Sequence, residues 1–266
     1  MTKIVVCGVA GRMGQRLANL SLAAEDLELV GGKEHPAHTA VGRDIGEIIG
    51  TQRLNLEVSD TLSGVIDPDR VVVNFTTPEA TLEDAALCAE RGTSMVVGTT
   101  GFTPDQLDEF KHIVANITCV FASNFSTAMN VLFKLVEETA RILGDDYDVE
   151  ITEAHHRHKV DAPSGSALTL AARAAAGLDR NLREVLIHGR QGVVGERTRQ
   201  EIGMHAIRAG DLAGEHSVLF AAPGEYLELK HHATSRDSFA LGALRAARFA
   251  AEAEPRLYSM GDVLGL

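Results

Sequence analysis

Three histidines, an arginine and a lysine occupy consecutive positions in His155-His156-Arg157-His158-Lys159, within the stretch Glu153–Ala167. Such a cluster can hold a metal, bind an anion, or move a proton near neutral pH, where histidine titrates. If the chain stays extended through Lys159, His156 and His158 point one way and His155 the other. Two same-face histidines could then begin a zinc site, with His205, His216, His231 and His232 as the remaining candidate ligands. A solvated basic loop is the second reading. The third joins anion and proton. Ser164-Gly165-Ser166 precedes the apolar run Ala167–Ala176, so it is a natural helix start whose N–H groups and hydroxyls bind carboxylate or phosphate. Lys159 adds a point charge and a protonated neighbouring histidine can donate a proton, a combination suited to a small dicarboxylate. Asp161 either orients a cationic neighbour or caps a loop.

A second constellation lies at the other end of the chain. Gly8-Val9-Ala10-Gly11-Arg12-Met13-Gly14 follows an apolar run and opens a helix. The spacing is G-x-x-G-x-x-G rather than G-x-G-x-x-G, but the mechanics are shared: a tight turn, close backbone approach, and a phosphate at a helix N-terminus. A strand–helix turn with no nucleotide is the alternative. Glu34 stands about 20 residues beyond Gly14, where an acidic side chain accepts hydrogen bonds from an adenosine ribose; otherwise it is a solvated loop carboxylate. Two further loops, Gly98-Thr99-Thr100 and Ala122-Ser123-Asn124-Phe125, fall at strand C-termini, where open α/β sheets bind ligands.

The elements that position these groups follow from periodicity. Ile4–Cys7, Leu27–Val30, Val71–Phe75, Ser94–Val97 and Cys119–Ala122 read as short buried strands. They alternate with helices at Arg12–Ala24, Pro78–Arg91 and Pro104–Val114, the pattern of a parallel α/β sheet. After Phe125 the pattern changes. A long helix at Ala128–Leu143 leads to Val149–Glu153, and alternating segments at Glu184–His188, Gly203–Arg208, His216–Ala221 and Tyr226–Ala233 predict a mixed or antiparallel sheet. A last helix, Ser238–Ala253, is expected to return to the first domain. The expected fold is α/β: a Rossmann-like dinucleotide-binding domain of residues 1–125 and 239–266, and a second α+β domain of residues 126–238 for substrate and oligomerisation.

Composition narrows the classes. A net charge of −12 argues against nucleic acid and anionic membranes as partners. No run approaches a membrane helix, and the N-terminus does not read as a signal peptide. Cys7, Cys88 and Cys119 are far apart in apolar surroundings, as in a reducing cytoplasm.

Together Gly8–Gly14, Gly98-Thr99-Thr100-Gly101-Phe102, Ser123-Asn124-Phe125-Ser126 and Glu153–Ala167 resemble the 4-hydroxy-tetrahydrodipicolinate reductase (dihydrodipicolinate reductase) family of the diaminopimelate route to lysine. The resemblance continues through Gly195-Glu196-Arg197, Arg208-Ala209-Gly210-Asp211, Gly214-Glu215-His216 and Ser235-Arg236, over essentially the whole chain. It implies that Gly8, Val9, Ala10, Gly11, Arg12 and Met13 hold a dinucleotide pyrophosphate and Glu34 its ribose. It implies that Gly98, Thr99, Thr100, Ala122, Ser123, Asn124 and Phe125 line the nicotinamide. It makes His155 the proton donor, Lys159 a second catalytic and substrate-binding residue, and His156, Gly165 and Ser166 the holders of the substrate carboxylates, with no metal. It further implies a cytoplasmic homotetramer built through the sheet of the second domain. His35 departs from the family, where arginine often follows the ribose-binding acid and pairs with the NADPH 2′-phosphate. With Lys33 as a possible compensating cation, the expectation is use of both NADH and NADPH, NADH at least as good. A smaller departure lies near Ala128 and Met129, without consequence for the chemistry. A metal-dependent hydrolase and a non-catalytic dinucleotide-binding regulator are the alternatives. Arg157 and His158 are left without a role.

Overall fold

The computed structural model describes residues 1–266 and resolves two compact units, Met1–Thr127 with Arg236–Gly265, and Ala128–Ser235. In chain order, unit 1 begins with β1 (Thr2–Cys7), α1 (Arg12–Leu22), β2 (Leu27–Lys33), α2 (Ile45–Ile49), β3 (Val58–Ser59), β4 (Arg70–Asn74), α3 (Pro78–Arg91), β5 (Ser94–Val97), α4 (Pro104–Ile113) and β6 (Cys119–Phe121). Helix α5 (Thr127–Leu143) then opens unit 2, which continues with β7 (Asp148–His155), α6 (Gly165–Gly177), α7 (Leu182–Val185), β8 (Leu186–His188), β9 (Ile202–Arg208), β10 (Glu215–Ala222) and β11 (Glu225–His232). The chain ends in unit 1 with α8 (Asp237–Ala250), β12 (Leu257–Tyr258) and α9 (Met260–Leu264).

Unit 1 is a parallel sheet of order β12-β6-β5-β4-β1-β2-β3. Its strands are apolar on both faces, as a doubly covered sheet requires. From β1, Ile4 and Val6 pack with Leu17 and Ala18 of α1 and Ala243 and Leu244 of α8. Val5 and Cys7 take the opposite face, with Ala85 and Cys88 of α3 and Phe110 of α4. The helix starts are local: Thr77 caps α3 through the Ala80 N–H, and Thr103 with Gln106 forms a capping box on α4.

Unit 2 is a mixed sheet of order β11-β10-β7-β9-β8, with β7, β8 and β9 parallel and β10 and β11 antiparallel. One face is covered by α5 and α6: Val149 and Ile151 of β7, Met204 of β9 and Phe220 of β10 pack with Phe133, Val136, Leu170 and Ala174. Successive residues of one parity share this face.

Two expectations are corrected. Glu184–His188 is not one strand: Asn181 accepts the Arg183 N–H and starts the short α7, and only Leu186–His188 joins the sheet. Nor is the chain extended through Lys159. The strand stops at His155, because the N–H groups of His156 and Arg157 bond to the carbonyls of Leu212 and Gly210 in a neighbouring loop, and Lys159 closes a turn onto His156 O. The sequence reading also left α2, β3, β12 and α9 without an assignment, being two to five residues each. No helix is long and apolar enough to cross a membrane.

Candidate active site

Unit 2 builds its site at one end of the helix-covered face. Along β7 the parity Val149, Ile151, Glu153, His155 carries two core residues and then two ionisable ones. Glu153 is completely buried. Its Oε2 lies 2.6 Å from His155 Nδ1. Arg208, paired with His155 across β7 and β9, donates to both carboxylate oxygens at 2.9 and 2.8 Å. The Ser164 N–H, one residue before α6, donates to Oε1 at 3.2 Å. A buried carboxylate without partners is expensive; this one has a guanidinium, an imidazole and a backbone donor. Burial pushes its pKa up, but the bonds from Arg208 and His155 outweigh that and leave it below the usual value.

That carboxylate sets His155. With Nδ1 on Glu153, Nε2 is the nitrogen left for a ligand. It faces Gly214, where an added Cβ would come within 3.1 Å at a φ of +152°, a position suited to glycine. Burial is the largest influence on His155 and lowers its pKa; Glu153 pulls it upward and only partly offsets this. Beside it, His216 of β10 is buried with its ring centroid 5.2 Å from that of His155, and its Nε2 is hydrogen-bonded to Ser164 Oγ at 3.1 Å. Burial and then the neighbouring His155 drive its pKa down to about 3, so His216 is neutral, and its Nδ1 has no hydrogen-bond partner.

Ser164 is the N-cap of α6, its Oγ accepting the Ala167 N–H at 3.1 Å. Gly165 and Ser166 are the first two residues of that helix, whose opening N–H groups have no partner inside it. Glu153 thus holds both His155 and the start of the helix that carries Gly165 and Ser166. Lys159 pairs with Asp161 at 2.9 Å, and Arg208 also donates to the Asp161 carbonyl, which ties the Lys159 turn to the same guanidinium. His156 is half-buried with its ring 6.3 Å from His158, while Arg157 and His158 are exposed. No group of three or more His, Cys, Asp or Glu converges where a metal ion could be held.

Sequence reasoning assigned Glu153 and Arg208 no role in this site and offered His216 only as a candidate metal ligand, while it placed Ser164 at the helix start. The parity along β7 was a signal for Glu153. Nothing in the sequence announced that β9 and β10 deliver Arg208 and His216 beside it.

Unit 1 builds its site from backbone. Gly8 has φ +71° and both it and Val9 donate to Lys33 O, while Gly11 donates to Gly8 O, which folds the loop tightly. A Cβ on Gly14 would sit 2.0 Å from Gly8 O, so only glycine lets α1 approach β1 this closely. The N–H groups of Arg12 and Met13 open α1 without partners inside it. Val9 is buried and Met13 packs on the core, so their side chains serve packing. Glu34 lies against the loop, accepting the Ala10 N–H at 3.1 Å and its own neighbour's N–H through the other oxygen. His35 is exposed, its Nδ1 accepting from Ala37 N. Lys33 does not stand beside it. Its ammonium is bonded to buried Asp84, which corrects the expectation of a cation available to a 2′-phosphate.

Of the other two loops, Thr99 is buried with its hydroxyl on Thr81 at 2.7 Å, and Thr100 is exposed. Gly98 and Ala122 bond through their N–H groups to Asn74 O and Val97 O. Asn124 accepts the Ser126 N–H in a local turn, Ser123 is exposed, and the Phe125 ring is core, 5.5 Å from Phe75.

Comparison with known proteins covers both units. A family model described as "Dihydrodipicolinate reductase, N-terminus" matches residues 2–125, and "Dihydrodipicolinate reductase, C-terminus" matches residues 128–264. A relative from Syntrophobacter fumaroxidans named 4-hydroxy-tetrahydrodipicolinate reductase is 49% identical over 266 residues, all of both chains. One of the same name from Desulfotalea psychrophila is 48% identical, over 100% of this chain and 99% of the relative. Among solved structures, a dipicolinate-bound dihydrodipicolinate reductase from Paenisporosarcina superposes with a TM-score of 0.72 at 26% identity, over 97% of each chain. An amine dehydrogenase from Mycobacterium smegmatis, at TM-score 0.62 and 14% identity, shares the fold.

Proposed function

The chain belongs to the dihydrodipicolinate reductase family, and from that premise we propose that it reduces 4-hydroxy-tetrahydrodipicolinate to tetrahydrodipicolinate in lysine synthesis, with unit 1 holding NADH or NADPH and His155 of unit 2 supplying the proton. The substrate's 4-hydroxyl leaves as water, ring C4 takes a hydride, and the adjacent carbon takes a proton. A nicotinamide bound in unit 1 supplies that hydride.

The residues of unit 1 fit a dinucleotide. The opening N–H groups of α1 at Arg12 and Met13 are placed for a pyrophosphate, while those of Gly8, Val9 and Gly11 hold the loop's shape. Glu34, already against the loop, exchanges the Ala10 N–H for ribose hydroxyls. The backbones of Gly98–Thr100 and Ala122–Phe125 offer the edge for the nicotinamide. Because Lys33 is committed to Asp84 and Glu34 repels a 2′-phosphate, NADH serves at least as well as NADPH.

In unit 2, Gly165 and Ser166 with His156 and Lys159 take the two substrate carboxylates. Glu153 fixes the imidazole with Nδ1 turned inward, so the proton leaves from Nε2. Burial disfavours the imidazolium. Two substrate carboxylates favour it again, since opposite charge stabilises the charged form. The acid is thereby charged when there is something to protonate. Lys159, held by Asp161, stands as the second cation.

The observation that carries this reading is the single buried carboxylate shared by a histidine and a helix start. The test couples the purified protein to a dihydrodipicolinate synthase reaction and follows NADH absorbance; no NADH oxidation sinks it.

We further propose a cytoplasmic homotetramer built through the unit 2 sheet. Ile187, Ile207 and Tyr226 are exposed on strands of that sheet, at 36%, 47% and 71%, and the cysteines are buried and unpaired. Light scattering that returns a monomer mass removes this part.

A further inference from the structure

Unit 1 contains a buried ion pair that the reaction does not consume. Lys33, at the end of β2, is bonded to Asp84 of α3, whose side chain is 1% exposed. The other Asp84 oxygen accepts from Asn74 Nδ2 at 2.8 Å, and Asn74, the last residue of β4, is completely buried. Asn74 Oδ1 in turn accepts the Thr76 N–H at 3.1 Å, the Thr76 hydroxyl at 2.7 Å and the Thr81 hydroxyl at 3.2 Å. Thr81 passes the chain to Thr99. The network therefore runs beneath the C-terminal ends of β2, β4 and β5, the edge where a parallel sheet of this kind binds its ligand.

Stability alone does not account for it, since a buried pair replaced by apolar residues of similar volume is often neutral or better. What it supplies is direction. An ionised carboxylate only accepts, so Asn74 must present its NH₂ to Asp84 and its oxygen to the threonines. Each Asp84 oxygen receives a donor, the Lys33 ammonium on one and the Asn74 amide on the other, as a carboxylate does. Burial lifts the Asp84 carboxyl above its ordinary value against the pull of Lys33, and on Lys33 burial is outweighed by the Asp84 attraction, which raises the ammonium.

We propose that Asp84, held by Lys33, is a positioning residue for the dinucleotide: it orients the Asn74 amide, which presets the Thr76 and Thr99 loops before the cofactor arrives. This rests on unit 1 being the cofactor half. Thr76 also borders the glycine loop, since a Cβ on Gly8 would meet its methyl at 3.1 Å.

The test titrates NADH by its fluorescence into wild type, Asp84→Asn and the double variant Lys33→Met/Asp84→Leu, with kcat measured at saturating NADH. Asp84→Asn can donate as well as accept, so it no longer dictates the Asn74 orientation. The expected result is an NADH Kd raised about tenfold in both, with kcat at saturation within about twofold of wild type. If the single variant fails to fold because Lys33 is left unpaired, the double variant decides. A double variant with wild-type Tm and wild-type Kd overturns the proposal, as does lowered kcat with unchanged Kd. Failure of wild type to bind NADH removes the cofactor reading itself, and the positioning role with it.

Discussion

In the proposed reading unit 1 and unit 2 solve the same problem, holding anionic groups, with different materials. Unit 1 uses backbone. Its loop is shaped by N–H donors on Lys33 O and Gly8 O, and a helix start faces outward. Unit 2 uses side chains from separate strands, arranged around one buried carboxylate with Arg208, His155 and Ser164 on it. A backbone site has no titratable group at its centre; a site of this second kind is a set of coupled charges. The shifted histidines reflect this: His155, His216 and His231 all lie in unit 2, each lowered chiefly by burial. Binding in unit 1 should therefore be nearly indifferent to mild pH change, and chemistry in unit 2 sensitive to it.

The most severe way to break this division is to remove the proposed proton donor. His155→Gln should lower kcat on the order of 10²–10⁴-fold, the cost of a lost general acid. Lys159→Ala should act in the same direction. Both should leave the NADH Kd of unit 1 within about twofold of wild type. A variant that loses NADH binding along with turnover shows that the units do not divide the work this way.

Glu153→Gln sharpens the division within unit 2. It removes the influence that raises His155 while burial remains, so the imidazole pKa falls further. A general acid must be protonated, so kcat/KM is high below its pKa and is lost as pH rises through it. The falling limb should move to lower pH, with a rate loss of about 10- to 100-fold at pH 7. An unmoved limb means Glu153 does not set His155.

The two regions also differed in how far their residues announced them. The glycine loop is contiguous, and its spacing alone fixes a turn, a close approach and a helix start. His155, Lys159 and the Ser164 cap were equally local. Glu153 stands two residues from His155 on the same strand face, a parity that signals a shared side of β7 but not the partners that hold a buried carboxylate there. Arg208 and His216 reach Glu153 only through strand pairing, with Ala206 and His216 its register partners on β9 and β10. Pairing across some 55 residues leaves no mark in periodicity. The inward turn of Lys33 was hidden for the same reason: its partner lies on α3.

A smaller effect concerns stability. His216 titrates at about 3 in the folded chain against 6.5 unfolded. The unfolded state thus binds the proton first, so the stabilisation is fully present above about pH 6.5 and is lost as pH falls. At pH 5 the loss from this group is about 2 kcal/mol. Hydrogen exchange should show unit 2 loosening before unit 1 between pH 6.5 and 5, and His216→Gln should flatten that dependence. Equal loosening of both units, or a slope that the substitution leaves unchanged, removes His216 as a source.

The mildest test returns to unit 1 and asks whether its one weakness for phosphate is a side chain. The loop backbone treats NADH and NADPH alike, because both present the same pyrophosphate. In the proposed reading discrimination falls to what surrounds the ribose: Glu34, whose charge would repel a 2′-phosphate, exposed His35, and Lys33, whose ammonium is held inward by Asp84. Wild type should therefore show a kcat/KM for NADH at least equal to that for NADPH. His35→Arg places a permanent charge with a bidentate fork at the exposed position. A screened surface contact of this kind is worth about 1 kcal/mol, so kcat/KM for NADPH should rise about five- to tenfold while NADH stays within about twofold. The comparison needs fixed ionic strength, since salt screens the added charge. A large NADPH advantage in wild type, or an arginine that raises both cofactors together, would show that the ribose surroundings do not set the preference.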